Sequence, residues 1–281
     1  MDYFKKFRVQ LGSKVSLDKI DPSFKDKHEN GDSAKEETAK YAEKLRDLQY
    51  LMYAEDKRSL LICLQAMDAG GKDGTIKHVL GAMNPMGCQV QSFKVPSPEE
   101  ASHDYLWRIH KAAPGTGRVA VFNRSQYEDV IVPRVHKLAP PDLWPRRYLE
   151  INNFEKHLAD NGTHILKFFL HISKDEQLRR FKERLDDPTK QWKINESDYT
   201  EREYWDKYME AYERALSECS TEHAPWLIVP SNHKWFRNLV VSQIVVELLE
   251  GLKMKFPPPK VDLKKIAQQY HQAEKSEKKQ S

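Results

Sequence analysis

The chain has 281 residues, of which 39% are apolar and 31% charged, and this length is sufficient for one large α/β domain with a complete core. Its 46 Lys and Arg residues only slightly outnumber its 42 Asp and Glu residues, so the total charge gives no support to nucleic-acid binding. No apolar run approaches the roughly 18 residues of a membrane-spanning helix, and the three cysteines lack metal-like spacing and indicate reduced thiols. We therefore expect a soluble, cytoplasmic protein that binds neither nucleic acid nor a membrane.

The apolar pattern predicts helices that alternate with short buried strands. Residues 35–55 carry apolar side chains at the 3.6-residue period of an amphipathic helix, and the continuous run "SLLICLQ" (59–65) is typical of a strand buried on both faces. Further strands are predicted at 90–95, 119–124, 164–172 and 226–231, and a last helix at about 234–254. This alternation predicts an α/β fold with a five-stranded parallel sheet flanked by helices.

Two segments interrupt the alternation. A charged, helical insert at 175–216 lies between the fourth and fifth strands, and residues 258–281 form a lysine-rich tail that we expect to be solvated or disordered. The predicted single domain is therefore 1–257. One face of the second half of the insert is apolar and is expected to pack against the domain, through Trp205, Tyr208, Tyr212 and Leu216.

The stretch "AMDAGGKDG" (66–74) follows the first strand and opens a helix. It has the Gly-Lys pair of a phosphate-binding loop, but Ala66 stands where such a loop has glycine and Asp73 where it has Ser or Thr. Backbone N–H groups and the positive end of the helix favour phosphate here, and Lys72 supplies a cation that can follow a transferring phosphoryl group. The alternative is a tight turn with a surface lysine. The strand, the helix and the acidic residues around the turn favour the phosphate site.

This loop contains a carboxylate of its own, Asp68. A carboxylate at 4 Å from a phosphate is repelled by about 4 kcal/mol near a protein surface unless a cation lies between them. A Mg²⁺ ion held by Asp68 and phosphate oxygens explains the arrangement, and the alternative is that Asp68 takes a proton from the acceptor. For Asp73 we favour helix capping over metal binding.

The third strand ends in "FNRSQYED" (122–129), and the carboxyl ends of central parallel strands collect active-site residues. Arg124 offers a planar cationic fork that suits phosphate. Glu128 and Asp129 either complete a metal site, contact an acceptor nucleotide, or form ion pairs with neighbours such as Arg124 or Arg134.

The insert at 175–216 is a candidate lid. Its first half is crowded with basic residues, namely Arg179, Arg180, Lys182, Arg184, Lys190 and Lys193. A solvated face is the ordinary explanation of such a charge run. The position of this run, between strands of a phosphate-binding sheet, favours a lid that closes over the substrate.

Four stretches, taken together and in this order, resemble the family-2 polyphosphate kinases. They are "LQAMDAGGKDGTIKHV", "FKVPSPEEASHDYLWRIHKAAPGTG", "VFNRSQYEDV" and "RLDDPTKQWKINESD", and the resemblance covers about residues 35–255. It implies a P-loop kinase fold like that of thymidylate kinase. It also implies transfer of the terminal phosphoryl group of inorganic polyphosphate to a nucleotide, with Mg²⁺, or Mn²⁺ in its place, as the cofactor.

The resemblance also implies a subgroup and a set of partners. Many family members have aspartate, in a Walker-B-like place, where this chain has Asn123. That departure, with Glu128 and Asp129 following, looks like the subgroup that phosphorylates both nucleoside mono- and diphosphates. The expected partners are polyphosphate, AMP, ADP and ATP, with guanine nucleotides as further candidates. A second copy of the chain is also expected, in a homodimer or homotetramer.

The residues expected to form the site follow from the motifs and from the resemblance. The catalytic residues are Asp68, Lys72 and Arg124, the metal ligands are Asp68 and Asp129, and Asp198 belongs to the lid. The expected nucleotide-binding residues are Asn123, Arg124, Glu128 and Asp129. The expected phosphate-binding residues are Ala69, Gly70, Gly71, Lys72, Asp73, Gly74, Lys94, Arg180, Arg184 and Lys193, and Arg108 and Arg118 would extend this cationic track.

Two other functions compete with this interpretation. An ATP-dependent nucleotide or small-molecule kinase on the same fold should have a standard loop, and the Ala66 and Asp73 departures count against it. A non-catalytic binder of RNA or polyphosphate would leave Asp68, Glu128 and Asp129 unexplained. In-line transfer between bound phosphates needs only positioning and charge neutralisation, and no covalent intermediate.

Overall fold

The structure is a computed structural model that describes residues 1–278. Its strands are β1 (Ser59–Gln65), β2 (Cys88–Ser92), β3 (Val119–Asn123), β4 (Thr163–His171) and β5 (Trp226–Pro230). Its helices are α1 (Tyr3–Phe7), α2 (Gly31–Glu55), α3 (Lys72–His78), α4 (Pro98–Ser102), α5 (Trp107–Lys111), α6 (Glu128–Val135), α7 (Leu143–Asp160), α8 (Lys174–Asp186), α9 (Ser197–Glu203), α10 (Trp205–Glu218), α11 (Lys234–Gly251) and α12 (Leu263–Lys278). Short 3₁₀ turns lie at Leu17–Lys19, Leu80–Ala82, Pro85–Gly87 and Gln191–Lys193.

All strand pairs are parallel, in the order β2-β3-β1-β4-β5, which places β1 at the centre. Every residue of β1 is buried because helices cover both faces of the sheet. Leu60 and Ile62 face a core that contains α2 and α11, and Leu61 and Cys63 face the opposite side. The five-stranded parallel sheet flanked by helices confirms the predicted P-loop kinase architecture.

The predicted element positions hold with small shifts. Helix α2 begins at Gly31, four residues before the prediction, because the Asn30 side chain accepts hydrogen bonds from the Asp32 and Ser33 amides. Strand β2 lies at 88–92 instead of 90–95. It is the exposed edge strand of the sheet, and Val95, which suggested a longer strand, is 91% exposed.

The insert at 175–216 is helical, as predicted, and spans most of α8, all of α9 and most of α10. Its apolar face is buried through Trp205, Tyr212 and Leu216, with Tyr208 packed beside them. Within residues 1–278, every helix is too short or too polar to cross a membrane. The three cysteines are free thiols, as expected.

Much of the tail forms helix α12, which the sequence analysis did not predict. Its residues are good helix formers, and Lys278 pairs with Glu274 one turn earlier, at 3.0 Å. Almost all of its side chains are exposed, so the expected solvation holds. Residues 279–281 of the predicted tail lie outside the described residues, and the domain boundary at 257 stays a prediction.

Candidate active site

The loop at 66–71 leaves the carboxyl end of β1 and opens α3, as predicted. Ala69 and Gly71 have left-handed φ angles of 59° and 106°, and the Gly70 amide donates to the Met67 carbonyl at 2.9 Å. A methyl group on Gly70 would lie 2.4 Å from Cβ of Ala66. Glycine is therefore required at position 70 by close packing and favoured at position 71 by the backbone angle.

Lys72 is the first residue of α3, and its side chain turns back over the loop. Its Nζ donates to the Ala66 carbonyl at 3.0 Å. Burial, followed by repulsion from Arg124, lowers the pKa of Lys72. The structure thus brings the predicted loop cation next to the predicted strand-end cation.

Arg124 joins the two segments that the sequence singled out. Its guanidinium lies 3.3 Å from Asp68 and 3.3 Å from Glu128. The residue has a left-handed φ of 64°, and its amide continues the sheet by donating to the Leu64 carbonyl at 3.1 Å. This uncommon conformation for a non-glycine residue occurs at the centre of the candidate site, as strained backbone often does.

The two adjacent acidic residues face different surroundings. Glu128 pairs with Arg124, and burial raises the pKa of Glu128 although Arg124 and Lys72 oppose the shift. Asp129 instead lies 3.4 Å from Arg108, and burial raises its pKa against the effect of Arg108. Glu128, and not Asp129, is therefore the carboxylate that shares the partner Arg124 with Asp68, whereas the metal assignment of Asp129 stays a prediction.

Asp73 connects the loop region to the insert. Its carboxylate accepts a hydrogen bond from the Asn123 amide at 3.0 Å and lies 3.3 Å from Nζ of Lys193. The N-cap of α3 is Gly71, and no side-chain capping hydrogen bond is found at this helix end within residues 1–278. The favoured capping role of Asp73 is therefore wrong, because its side chain points toward the strand end and the insert.

The insert also brings a carboxylate to the site. Asp198 pairs with Arg184 at 3.0 Å, and Arg184 also donates to the carbonyl of Lys193. Burial, followed by the negative charge of Asp68, raises the pKa of Asp198. The expected lid residues therefore lie close enough to the loop to influence its charges.

Arg180 does not point into the expected phosphate groove. It is 4% exposed, its Nε lies 2.6 Å from Glu176, and its other nitrogens donate to backbone carbonyls that include Ala69 at 2.8 Å. A further bond joins Arg180 to the carbonyl of Ser231. We correct its expected role from binding phosphate to holding the loop against the end of β5.

Of the cations outside the insert that were expected to extend the phosphate-binding surface, not all lie near the loop. Lys94 is exposed, and its carbonyl accepts a hydrogen bond from the buried Arg108 at 2.8 Å. Arg118 immediately precedes β3, so the parallel sheet places it at the edge opposite the loop, where it contacts Met86 and Tyr53. Arg118 is therefore removed from the track.

A cleft at this edge of the sheet includes residues that sequence reasoning missed or read only as packing. Its lining includes Asp68, Arg124, Glu128, Gln177 and Tyr212. Gln177 donates to the Asp68 carbonyl at 3.0 Å, and the Tyr212 hydroxyl lies 3.3 Å from the Ala66 carbonyl. Tyr212 was recognisable from its helical spacing, whereas no sequence signal identified Gln177.

The oxygen donors of the site fit a divalent cation that is shared with phosphate. Asp68 and Glu128 offer carboxylates beside the loop. Among residues 1–278, no group of three His, Cys, Asp or Glu side chains is arranged to hold a metal without other ligands. Mg²⁺ commonly takes one or two carboxylates together with phosphate oxygens and water, so two carboxylates are sufficient.

Comparison with known proteins gives a consistent result across nearly the whole chain. The family model described as Polyphosphate kinase 2 matches residues 28–257. The chain is 51% identical over 263 residues to the AMP/ADP-polyphosphate phosphotransferase of Meiothermus ruber, covering 93% of this chain and 98% of that protein. It is 47% identical over 273 residues to the ADP-polyphosphate phosphotransferase of Rhodopseudomonas palustris, covering 90% and 92%.

A solved structure shares the architecture. The crystal structure of polyphosphate kinase 2 from Arthrobacter aurescens TC1 superposes with a TM-score of 0.92 at 43% sequence identity, covering 98% of this chain and 97% of that one. The similarity therefore includes the sheet, the loop and the insert.

Proposed function

The chain belongs to the polyphosphate kinase 2 family, and we propose that it transfers the terminal phosphoryl group of inorganic polyphosphate to AMP and to ADP, reversibly. The observation that supports this most is the position of Arg124, which lies 3.3 Å from both Asp68 and Glu128 beside the loop lysine. Two cations and two carboxylates at the end of a central parallel strand suit the transfer of a phosphoryl group between anions.

The chain's own residues act mainly by charge and position. Lys72 and Arg124 stabilise the negative charge that spreads over the phosphoryl oxygens during in-line transfer. The loop amides hold the donor phosphate. Asp68 and Glu128 would hold the divalent cation, Mg²⁺ or Mn²⁺, which when bound neutralises charge on the donor and acceptor phosphates.

The chemistry of the acceptor favours one of the two roles considered for Asp68. The second pKa of a phosphate monoester is about 6, so the attacking oxygen of AMP is already ionised at neutral pH. No proton has to be removed before attack. We therefore assign Asp68 to cation binding and not to general-base catalysis.

The insert is proposed to close over the donor. Lys193 reaches Asp73 beside the loop, and Arg184 is fixed by Asp198 at 3.0 Å, so both cations lie on the loop side of the insert. Asn123, with Glu128, is proposed to face the acceptor nucleotide, with adenine and guanine nucleotides as candidate acceptors. A homodimer or homotetramer remains part of the proposal.

The test is donor choice. The purified chain is incubated with AMP and Mg²⁺, with either long-chain polyphosphate or ATP as donor, and the nucleotides are resolved by chromatography. We expect ADP and then ATP from polyphosphate, and product from the ATP donor alone would refute the proposal. Lys72→Ala should abolish this activity, whereas the control Lys77→Ala, which removes an exposed lysine of the same helix, should retain it.

A further inference from the structure

A distant arginine lies directly behind the glycine loop. Arg237, in the first turn of α11, is 2% exposed. A methyl group on Gly71 would lie 1.9 Å from its Nη1, and a methyl group on Gly74 would lie 3.1 Å from its Nη2. The guanidinium therefore occupies the space that side chains at these two positions would need.

Among residues 1–278, this guanidinium has no negatively charged partner. Its Nε and Nη2 donate to the neutral side-chain oxygen of Asn238, at 3.1 and 2.8 Å. In the described part of the chain, no carboxylate oxygen lies within 4.0 Å of its nitrogens. Burial, followed by the charge of Arg180, lowers the pKa of Arg237 to about 9, so the group is still charged at neutral pH.

The other buried cations of residues 1–278 each pair with a carboxylate. Lys167 lies 2.5 Å from Glu155, Arg180 lies 2.6 Å from Glu176, and Arg108 lies 3.4 Å from Asp129. Each of these cations has a carboxylate because a buried charge without a partner destabilises the folded state. The exception is Arg237, which lies against Gly71 and Gly74 of the loop region without a carboxylate partner, whereas Arg180, which also contacts the loop, pairs with Glu176.

We propose that Arg237 is a positioning residue of the phosphate site and that its missing counter-ion is the phosphate chain bound in the loop. Its side chain fills the space beside Gly71 and Gly74, and this packing holds the loop backbone in place. Its charge acts on the bound anion across the loop backbone. The inference depends on the proposed function only in taking the loop as the place where phosphate binds.

Tripolyphosphate binding tests this role. Binding is measured by calorimetry without nucleotide for the wild type, Arg237→Met and Arg237→Lys, and Tm is measured with and without the ligand. The matched control is Lys234→Met, which removes a half-exposed cation of the same helix turn that already pairs with Glu183 at 2.8 Å.

We expect Arg237→Met to keep or raise Tm without ligand, because an uncompensated buried charge is removed. Its Kd for tripolyphosphate should rise at least about tenfold, which corresponds to about 1.4 kcal/mol. Lys234→Met should stay within about threefold of the wild type, and Arg237→Lys should recover part of the affinity because it keeps the charge. In turnover, the KM for polyphosphate should rise in Arg237→Met more than the KM for AMP.

The inference is overturned if Arg237→Met binds tripolyphosphate as the wild type does, or if Lys234→Met weakens binding equally. If Arg237→Met does not fold, the same measurements are made on Arg237→Gln, which removes the charge but keeps a polar side chain, and wild-type affinity with a wild-type donor KM in this variant would overturn the inference. The two proposals can fail separately. If tripolyphosphate binding depends on Arg237 but the protein does not phosphorylate AMP from polyphosphate, only the proposed function is refuted.

Discussion

Glu128 and Asp129 are adjacent, carry the same charge and can be replaced in the same way, so they allow a matched test of the site. The structure places only Glu128 against Arg124, and Asp129 faces Arg108 instead. We expect Glu128→Gln to reduce catalysis and cation affinity. Asp129→Asn should leave the dependence on Mg²⁺ as it is in the wild type.

The size of the effect follows from the Arg124–Glu128 ion pair. At 3.3 Å its Coulomb energy would be about 5 kcal/mol with an effective dielectric constant of 20. The Arg124 side chain is 42% exposed, and solvent screening reduces the contribution to about 1–2 kcal/mol. Because about 1.4 kcal/mol corresponds to a tenfold change in rate, we expect kcat/KM to fall about 5- to 30-fold as Arg124 loses one of its two carboxylate partners.

The thermal stability of Glu128→Gln should stay equal or rise although its activity falls. Burial raises the folded-state pKa of Glu128 above its unfolded value, so the ionised carboxylate costs free energy once the pH exceeds the folded pKa. A neutral Gln removes this cost, and Glu128→Gln should unfold at or above the wild-type Tm at pH 8. A loss of activity with no loss of Tm separates a chemical role from a structural one.

The assay is steady-state turnover of AMP with polyphosphate at a series of Mg²⁺ concentrations, alongside thermal unfolding at pH 8. The half-saturating Mg²⁺ concentration should rise in Glu128→Gln and stay within about twofold in Asp129→Asn. The reverse pattern would support Asp129, as the sequence analysis predicted, as the metal ligand. Equal effects in both variants would refute the division of roles between the two carboxylates.

Three further perturbations test separate parts of the site. Burial lowers the pKa of Lys72, so kcat/KM should begin to fall at alkaline pH below the pKa of about 10.4 of a free lysine. This alkaline decrease should be absent in an active Lys72→Arg variant, and a decrease that persists there would assign the titration to another group. Arg184→Ala and Lys193→Ala should each raise the KM for polyphosphate by about tenfold and weaken the dependence of this KM on salt, measured at two ionic strengths, because each removes one cation that displaces counterions. A change confined to the KM for AMP would show that the insert binds the acceptor. Gly71→Ala should abolish activity and lower Tm, because its φ of 106° disfavours a side chain and its methyl group would lie 1.9 Å from Arg237; wild-type unfolding would show that the loop relaxes freely.

The features that could be predicted from the sequence are local. The continuous apolar run before the loop, the Gly-Lys pair and the helical pattern after it are contiguous, so β1, the loop and α3 follow from short-range rules. Lys72, Asp68 and Arg124 lie together because the carboxyl ends of β1 and β3 meet at one edge of a parallel sheet. The same rule excludes Arg118, which precedes β3 and belongs to the opposite edge.

The features that could not be predicted depend on side-chain direction or on distant packing. Which of Glu128 and Asp129 faces the loop is set by the left-handed turn at Arg124 and the first turn of α6, and the sequence does not specify that rotation. Arg180 looked like any other basic residue of the insert, and its burial depends on the end of β5. Arg237 lies in a helix without any phosphate-binding motif and reaches the loop only through the tertiary fold.

The central position of β1 also constrains the order in which the protein can become competent during synthesis. β1 pairs with β4, whose residues lie about a hundred positions later, and Arg237 follows later still. At about 5–20 residues per second, a ribosome needs roughly 8–34 s to proceed from the loop to Arg237. Until then the apolar strand β1 lacks some of its packing partners and remains exposed, and exposed apolar strands are the kind of segment that chaperones bind. The loop that is made early can therefore bind its ligand only late, once the distant segments have docked.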